Sequence, residues 1–418
     1  MRFDQLNLKD KLLESIKRLG FEELTPIQER CIPAILEGRD VVGQAETGSG
    51  KTVAFALPVV QKIAPGKGPQ VLALAPTREL CIQITDVFKD LGSGLGLKVI
   101  SVYGGVGIEG QIRDIPSADI IVGTPGRILD HLGRKTISFS NVRHLILDET
   151  DRMLDMGFID DVERIINSVP KDRQTLMFSA TISYDIKDIM NRYLKDPEMI
   201  TTRTHVDTSK LKQVYYDIYP HNEKFSLLVH LLKHTTPGLA IVFCATRHEA
   251  EIVVKNLRKQ GIDASAIHGG MSQHLRTRSL QALKENKVDV LVATDVAARG
   301  LDIKNITHIY NYDVPKTAKE YIHRIGRTAR AGKSGDAVTL LVKRDHDNFR
   351  RVLSDPKIDV DKENMPHFKK IPFDRCVGRD RKSHRGGYKG RRGGSGPNDR
   401  RRSGGPRGRR SSHSRSRR

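Results

Sequence analysis

Short apolar runs rich in β-branched residues recur along most of the chain, each followed by a longer stretch in which apolar positions return at helical spacing. Runs that are apolar throughout read as strands buried on both faces, and strands alternating with helices imply a parallel sheet covered by helices. The first set comprises VV at 41–42, VLALA at 71–75, KVISVY at 98–103, DIIV at 119–122, HLIL at 144–147 and TLMF at 175–178. The second comprises LAIVF at 239–243, ASAI at 264–267, VDVLVA at 288–293, THIYNY at 307–312 and AVTLLV at 337–342. Two sheets of similar size follow. Between them DPEMITTRTHVDTSKLKQ is polar and turn-rich, which places the boundary near Thr204 to Lys212. The fold class predicted is α/β, with a first domain over 1–205, a second over 212–360 and a tail over 361–418.

Charge sharpens that division. The 418 residues carry a net +21, but from Arg375 onward 17 Lys/Arg stand against two Asp, so +15 belongs to the tail and only +6 to the 374 residues before it. The tail is dominated by Arg, Gly and Ser, has too few apolar residues to form a core, and is expected to be disordered. Its RGG at 385–387, Tyr388 and RRGG at 391–394 interleave charge with an aromatic, as non-specific RNA-binding segments do. Cys31, Cys81, Cys244 and Cys376 are scattered singly, which suggests neither a zinc site nor a disulfide framework. The N-terminus mixes acids and bases without the apolar core of a signal peptide, and no run has the length of a transmembrane helix. A protein of the cytoplasm is expected, or of the nucleus if its source is eukaryotic.

Two predicted strands end in residues suited to a nucleotide. AETGSGKT at 45–52 follows the first run and DETD at 148–151 follows HLIL, so both stand at carboxyl ends of parallel strands, where open α/β sheets bind ligands. Ala45, Thr47, Gly48, Ser49 and Gly50 form a backbone cradle for phosphates. Lys51 adds a point charge, and the Thr52 hydroxyl can ligate Mg²⁺ at a helix N-terminus. Ala45 replaces the first Gly of the general pattern. Asp148 suits the metal shell and Glu149 the attacking water. The combination implies nucleotide hydrolysis.

Upstream, GFEELTPIQ at 20–28 offers Phe21, whose ring can stack on a purine, and Gln28, whose carboxamide can address the adenine N6/N7 edge. The same stretch also reads as a helix start at Thr25-Pro26 with Phe21 as a hydrophobic staple. Further blocks open helices or follow strands: PTREL at 76–80, GG at 104–105, TPGR at 124–127, SAT at 179–181, TDVAARGLD at 294–302 and HRIGRTAR at 323–330. In this order, with GFEELTPIQ, AETGSGKT and DETD, they closely resemble the DEAD-box family of ATP-dependent RNA helicases. The resemblance runs from about Phe3 to about Val342.

That resemblance implies two tandem RecA-like domains, with ATP and Mg²⁺ as cofactors. Phe21 and Gln28 would recognise adenine, with Phe3 as the upstream aromatic. Lys51 and Thr52 would hold phosphate and Mg²⁺, Asp148 the metal through water, and Glu149 would orient and deprotonate the nucleophile. Asp302 would approach the ribose, while Arg327 and Arg330 would act as arginine fingers. RNA backbone contacts would come from Thr77, Arg78, Gly105, Thr124, Arg127, Arg247, Gln273, Arg276, Thr294 and Gly300. Asp151, Ser179, Thr181 and His323 would couple the two functions. A finger on a second domain makes hydrolysis conditional on closure, and side chains suited to phosphates and sugars favour sequence-independent binding of a strand.

Three departures stand out: Thr150 where the family has Ala in the acidic motif, Cys81 where Ala usually follows PTREL, and Ala329 in place of Gly in HRIGRTGR. Slight tuning of rate is expected from each. The reading is of a monomeric, RNA-dependent ATPase that opens short duplexes or remodels RNP. An ATP-gated RNA clamp or annealing chaperone is the alternative, and a DNA helicase is disfavoured by the motif set.

Overall fold

The apolar runs become strands of two seven-stranded sheets in which every paired strand is parallel. In the computed structural model, residues 1–45, 48–202, 211–234, 238–298, 303, 306–329 and 334–375 are described, and every structural statement concerns these. The first sheet consists of β1 (Val41–Gln44), β2 (Val71–Leu74), β3 (Val99–Val102), β4 (Ile120–Gly123), β5 (His144–Leu147), β6 (Gln174–Ser179) and β7 (Glu198–Thr201). Its order is β3-β4-β2-β5-β6-β1-β7. Because β6 lies between β1 and β5, the loops that leave those two strands face each other across the end of β6, at Ser179. Helices cover both faces. Phe55, Phe88 and Phe178 meet on one face with ring centroids 5.2 and 6.1 Å apart, while Leu147, Met153 and Ile165 are buried on the other.

The second sheet consists of β8 (Leu211–Asp217), β9 (Leu239–Phe243), β10 (Ala264–Ile267), β11 (Val290–Ala293), β12 (Ile306–Asn311), β13 (Gly335–Leu341) and β14 (Asp361–Lys362). Its order, β10-β11-β9-β12-β13-β8-β14, is that of the first sheet with seven added to every strand number. One plan has been built twice, which is the tandem RecA-like architecture.

The boundary expected near Thr204 to Lys212 runs from just after β7 to the first residues of β8, while the end of the second domain read from composition needs correction. The polar stretch taken as the linker contains β7, and β8 begins at Leu211 within it. Edge strand β7 buries only Ile200 of its four residues, so a run of mixed polarity suffices there. The ordered chain also continues past residue 360, where the tail was expected to begin. β14 pairs with β8 through Asp361 and Lys362 and takes the place that β7 holds in the first sheet. Beyond it, Phe373 packs on Phe225 at 4.8 Å, the Ile371 N–H donates to Ser226 Oγ, and Asn256 pairs with both backbone groups of Asp374. Sparse apolar residues in a polar setting hid this clasp from a periodicity reading. The basic tail from Cys376 lies outside the described residues.

The repeated plan has a counterpart at the level of side chains. Six residues separate β1 from the helix that begins at Lys51, and six separate β8 from the helix that begins at Lys224. Asp148 follows β5 with its N–H on Leu74 O at the end of β2; Asp313 follows β12 with its N–H on Phe243 O at the end of β9. In the second sheet these positions close on themselves. Lys224 Nζ lies 3.1 Å from Asp313 Oδ1 and 3.6 Å from Asp345 Oδ2, 4.6 Å over the Tyr312 ring, with both members of the Lys224–Asp313 pair buried. Burial raises the Asp313 carboxyl, but Lys224, the Ala245 N–H and Arg344 outweigh it and hold the group below the ordinary aspartate value.

Candidate functional site

The loop after β1 is shaped by backbone conformation. Gly50 has φ +92°, and a Cβ there would lie 2.6 Å from Gln28 Nε2, so a side chain is excluded by strain and by space together. Gln28 performs the local task that its position suggests. It is the third residue of helix Pro26–Leu36, and its Oε1 accepts from the Thr25 N–H at 2.9 Å, which caps the helix start. Its Nε2 donates to Gly50 O at 3.1 Å, tying the helix start to the phosphate loop. A carboxamide has two hydrogens and two lone pairs, so one of each remains for a base. Phe21 is 38% exposed and stacks on buried Phe3 at 6.3 Å, which presents an aromatic face beside this cap.

Lys51 opens helix Lys51–Lys62, buried, with Nζ donating to Ala45 O at 2.7 Å; Thr52 follows, half-buried. Thr47 lies outside the described residues, and Gly48 and Ser49 complete the turn. Asp148 is almost wholly buried. Desolvation pushes its carboxyl up to about 6, against the opposing charge of Lys51. A buried carboxylate with so little counter-charge is a fitting partner for a divalent cation.

Glu149 sits in the left-handed region, φ +49° and ψ +50°, and leads into helix Thr150–Asp155. Its Oε2 is 2.5 Å from Arg152 Nη1, both residues being buried. Thr150, the departure from the family pattern, has room: its hydroxyl is within 3.3 Å of both Leu147 O and Phe178 O, at the ends of β5 and β6. Asp151 then welds the acidic turn to the SAT block. Its Oδ2 accepts from the Thr181 N–H and hydroxyl at 3.2 and 3.1 Å, its N–H donates to Ser179 Oγ, and Ser179 Oγ donates to Thr181 O.

PTREL, GG and TPGR converge at the other loops of the first sheet. Thr77 caps helix Arg78–Gly92 through the Leu80 N–H, and Arg78 lies over Gly105, whose φ is +83° and whose added Cβ would meet Arg78 Nη1 at 2.0 Å. Thr124 is the cap of helix Pro125–Gly133. Arg127 donates to Gln111 Oε1 and Val106 O, which fixes its guanidinium within the protein. In the second sheet, Arg247 begins helix Arg247–Lys259 after its cap Thr246 and packs against Gly270, while Thr294 is buried at the end of β11. Gly300, Asp302 and Arg330 lie outside the described residues. Arg327 is buried, its Nε donating to His323 O one turn earlier.

Gln273 and Arg276 have a partner within the protein. Both are expected on RNA, yet both are buried and turn to Glu79 of the first lobe, Arg276 Nε at 2.7 Å and Gln273 Nε2 at 3.4 Å from Oε1. A buried carboxylate requires a cation, and Glu79, read only as one letter of PTREL, draws it from the opposite lobe. Sequence reasoning also missed Arg324. It grips Asp295 with two nitrogens at 2.6 and 2.7 Å, donates to Asn311 Oδ1 and Asp313 O, and lies over Phe243, joining three strand ends of the second sheet to the arginine-bearing helix. Its signal was a second Arg inside HRIGR, set behind the candidate fingers.

Among the described residues no cluster of three or more His, Cys, Asp or Glu could hold a metal, and no helix is long and apolar enough to cross a membrane. The three described cysteines are buried, and burial pushes the thiols of Cys31 and Cys81 up to about 12.

Residues 25–189 match the family model of DEAD/DEAH box helicases, and residues 223–332 match that of the helicase conserved C-terminal domain. The ATP-dependent RNA helicase CshA of Listeria monocytogenes is 47% identical over 84% of this chain and 68% of its own length. The DEAD-box ATP-dependent RNA helicase CshA of Bacillus subtilis is 44% identical over 87% of this chain and 74% of its own. Among solved structures, S. cerevisiae Dbp5 bound to RNA and ADP BeF3 aligns with TM-score 0.77 and 31% identity, covering 87% of this chain and 95% of that one. A DEAD box protein from Methanococcus jannaschii is more alike in sequence, 39%, covers 87% of this chain and 99% of that one, and aligns with TM-score 0.54. The chain belongs to the DEAD-box family of ATP-dependent RNA helicases.

Proposed function

We propose that this helicase couples RNA-stimulated hydrolysis of ATP to local opening of short duplexes or remodelling of RNP by closing its two lobes onto one strand. The observation that carries it is the placing of two sets of contacts on one lobe. The acidic turn Asp148–Asp151 stands beside the phosphate loop, is joined through Asp151 to Ser179 and Thr181, and lies on the lobe whose Glu79 binds Arg276 of the other. Phe21 and Gln28 take the adenine, Gly48 to Thr52 with Ala45 and Thr47 the phosphates, and Glu149 orients and accepts a proton from the attacking water. Mg²⁺ would be held by Thr52 and Asp148, where it neutralises developing charge on the phosphates. Asp302 approaches the ribose, and Arg327 and Arg330 stabilise the transferring phosphoryl group.

Thr77, Arg78, Gly105, Thr124, Arg127, Arg247, Thr294 and Gly300 form a sequence-independent path for the RNA backbone, and His323 links it to the fingers. Gln273 and Arg276 act on the seam rather than on the strand. The functional units are residues 1–205, residues 212 to about 374, and the basic tail as an RNA tether, in a monomer of the cytoplasm. The test is ATP turnover with and without single-stranded RNA. Strong stimulation that is lost on Arg330→Ala, with nucleotide binding kept, is the expected result; equal turnover without RNA excludes gating by closure.

A further inference from the structure

We infer that Arg152 is a positioning residue for hydrolysis, holding the Glu149 carboxylate where it can activate water. The inference rests on the reading of Glu149 as the proton acceptor, and three observations carry it. Glu149 is only 4% exposed, so its side chain is placed by protein groups rather than by bulk solvent. Arg152 Nη1 is the donor on its Oε2, and among the described residues no other hydrogen bond to the Glu149 side chain is formed. Glu149 also occupies a left-handed backbone conformation that a side-chain-bearing residue adopts at a cost, and such strain is kept where surrounding contacts impose it.

The local geometry explains why the pair forms. Arg152 lies three residues after Glu149 in the first turn of helix Thr150–Asp155, so the two side chains share one face. That helix is itself fixed at both ends of its first turn: the Thr150 hydroxyl bonds the ends of β5 and β6, and Asp151 bonds Ser179 and Thr181. A guanidinium mounted on that turn fixes the direction in which the carboxylate points. One oxygen is held and the other is left for water. Arg152 makes none of the contacts expected of a residue on phosphate or RNA; it acts through Glu149.

Five proteins test this: wild type, Arg152→Met, Arg152→Lys, Glu149→Gln and the double variant Arg152→Met with Glu149→Gln. For Arg152→Met, kcat for RNA-stimulated ATP hydrolysis is expected to fall roughly ten- to a hundredfold, the cost of misplacing a reacting group, while KM for ATP and RNA affinity change by less than about threefold. Arg152→Lys, which keeps the charge, should recover most of that loss. On the Glu149→Gln background the Arg152 change should cost nothing further, since the group it positions is gone. An unchanged kcat in Arg152→Met, or the same proportional loss on both backgrounds, overturns the inference and makes Arg152 a purely structural residue. Wild-type turnover in Glu149→Gln overturns instead the assignment of Glu149, so the two failures are distinguishable. Circular dichroism and melting of each variant exclude unfolding, and the Lys variant carries the test if Arg152→Met does not fold.

Discussion

Arg276 Nε and Glu79 Oε1 are 197 positions apart in sequence and 2.7 Å apart in space, on helices of different lobes, with both side chains buried in the seam. Removing one member of a buried pair strands the other and costs on the order of 3–5 kcal/mol in the state that holds it. In the closure proposed above, the closed state is the one that holds it. Glu79→Gln and Arg276→Met should therefore each lower RNA-stimulated turnover by tenfold or more, with little change in the melting of the separate lobes. The exchanged pair Glu79→Arg with Arg276→Glu should recover part of the loss. ATPase titrations against single-stranded RNA measure this, and independent, additive effects of the two substitutions would show that the ion pair does not govern closure.

Glu149→Gln should keep ATP affinity within about threefold while turnover falls by roughly a hundredfold or more, the usual share of general-base catalysis. The variant should also retain RNA for longer in the presence of ATP. Equilibrium binding of a fluorescent ATP analogue and a single-turnover assay separate the two effects.

Asp148 gives a dependence on pH with a definite sign. Burial makes the folded protein hold this proton more tightly than the unfolded chain does, so the associated stability is present below about pH 4 and is lost as pH rises through about 6. Asn in this place has no charge to bury. In nucleotide-free buffer Asp148→Asn should melt higher than wild type at pH 8, by an amount on the order of 2 kcal/mol, and close to wild type at pH 4.5, although it hydrolyses no ATP. An equal shift at both pH values would rule out ionisation as the cause.

The clasp over residues 361–374 separates two kinds of truncation. Cutting after Arg375 removes the basic tail but keeps Phe373 on Phe225 and Asp374 on Asn256. Melting and RNA-stimulated kcat should hold, while RNA affinity drops and its salt slope flattens by roughly 0.7 for each phosphate that the tail no longer neutralises. Cutting after Val360 also deletes β14 and exposes Phe225, and burial of an aromatic ring and an isoleucine is worth about 2 kcal/mol or more. That protein should melt several degrees lower. Equal melting of the two truncations would mean that the clasp adds nothing to the second lobe.

Thr150→Ala should lower stability by about 1 kcal/mol, because one hydroxyl shared by two carbonyls is removed, and alter turnover by less than about threefold. Chemical denaturation paired with ATPase assays checks both.

Much of this was legible in the sequence because fully buried parallel strands are apolar on both faces and announce themselves without periodicity, as LAIVF at 239–243 and HLIL at 144–147 do. The phosphate loop and acidic turn were equally plain, since their chemistry is local. What escaped notice was marginal burial or distant partnership. Edge strand β7 needs one apolar residue, and β14 pairs across only two. Glu79 and Arg276 carry no local sign of each other. Ala329, read as a small residue of little consequence, takes φ +54°, a conformation that the family's glycine adopts without cost. Gln28 bears out the helix-start reading and also reaches the phosphate loop, leaving one hydrogen and one lone pair for the adenine contact that is proposed for it.

The closed arrangement of Lys224, Asp313 and Asp345 has a meaning for the whole machine. A chain that builds one nucleotide-binding plan twice has two candidate places for fuel. In the second, an ammonium group already matched by two carboxylates has no charge to offer a triphosphate, and pulling either acid aside would leave a buried anion alone. That copy is sealed from within by its own side chains. The second repeat thus keeps the strand plan of the first but not a lysine free to meet a phosphate.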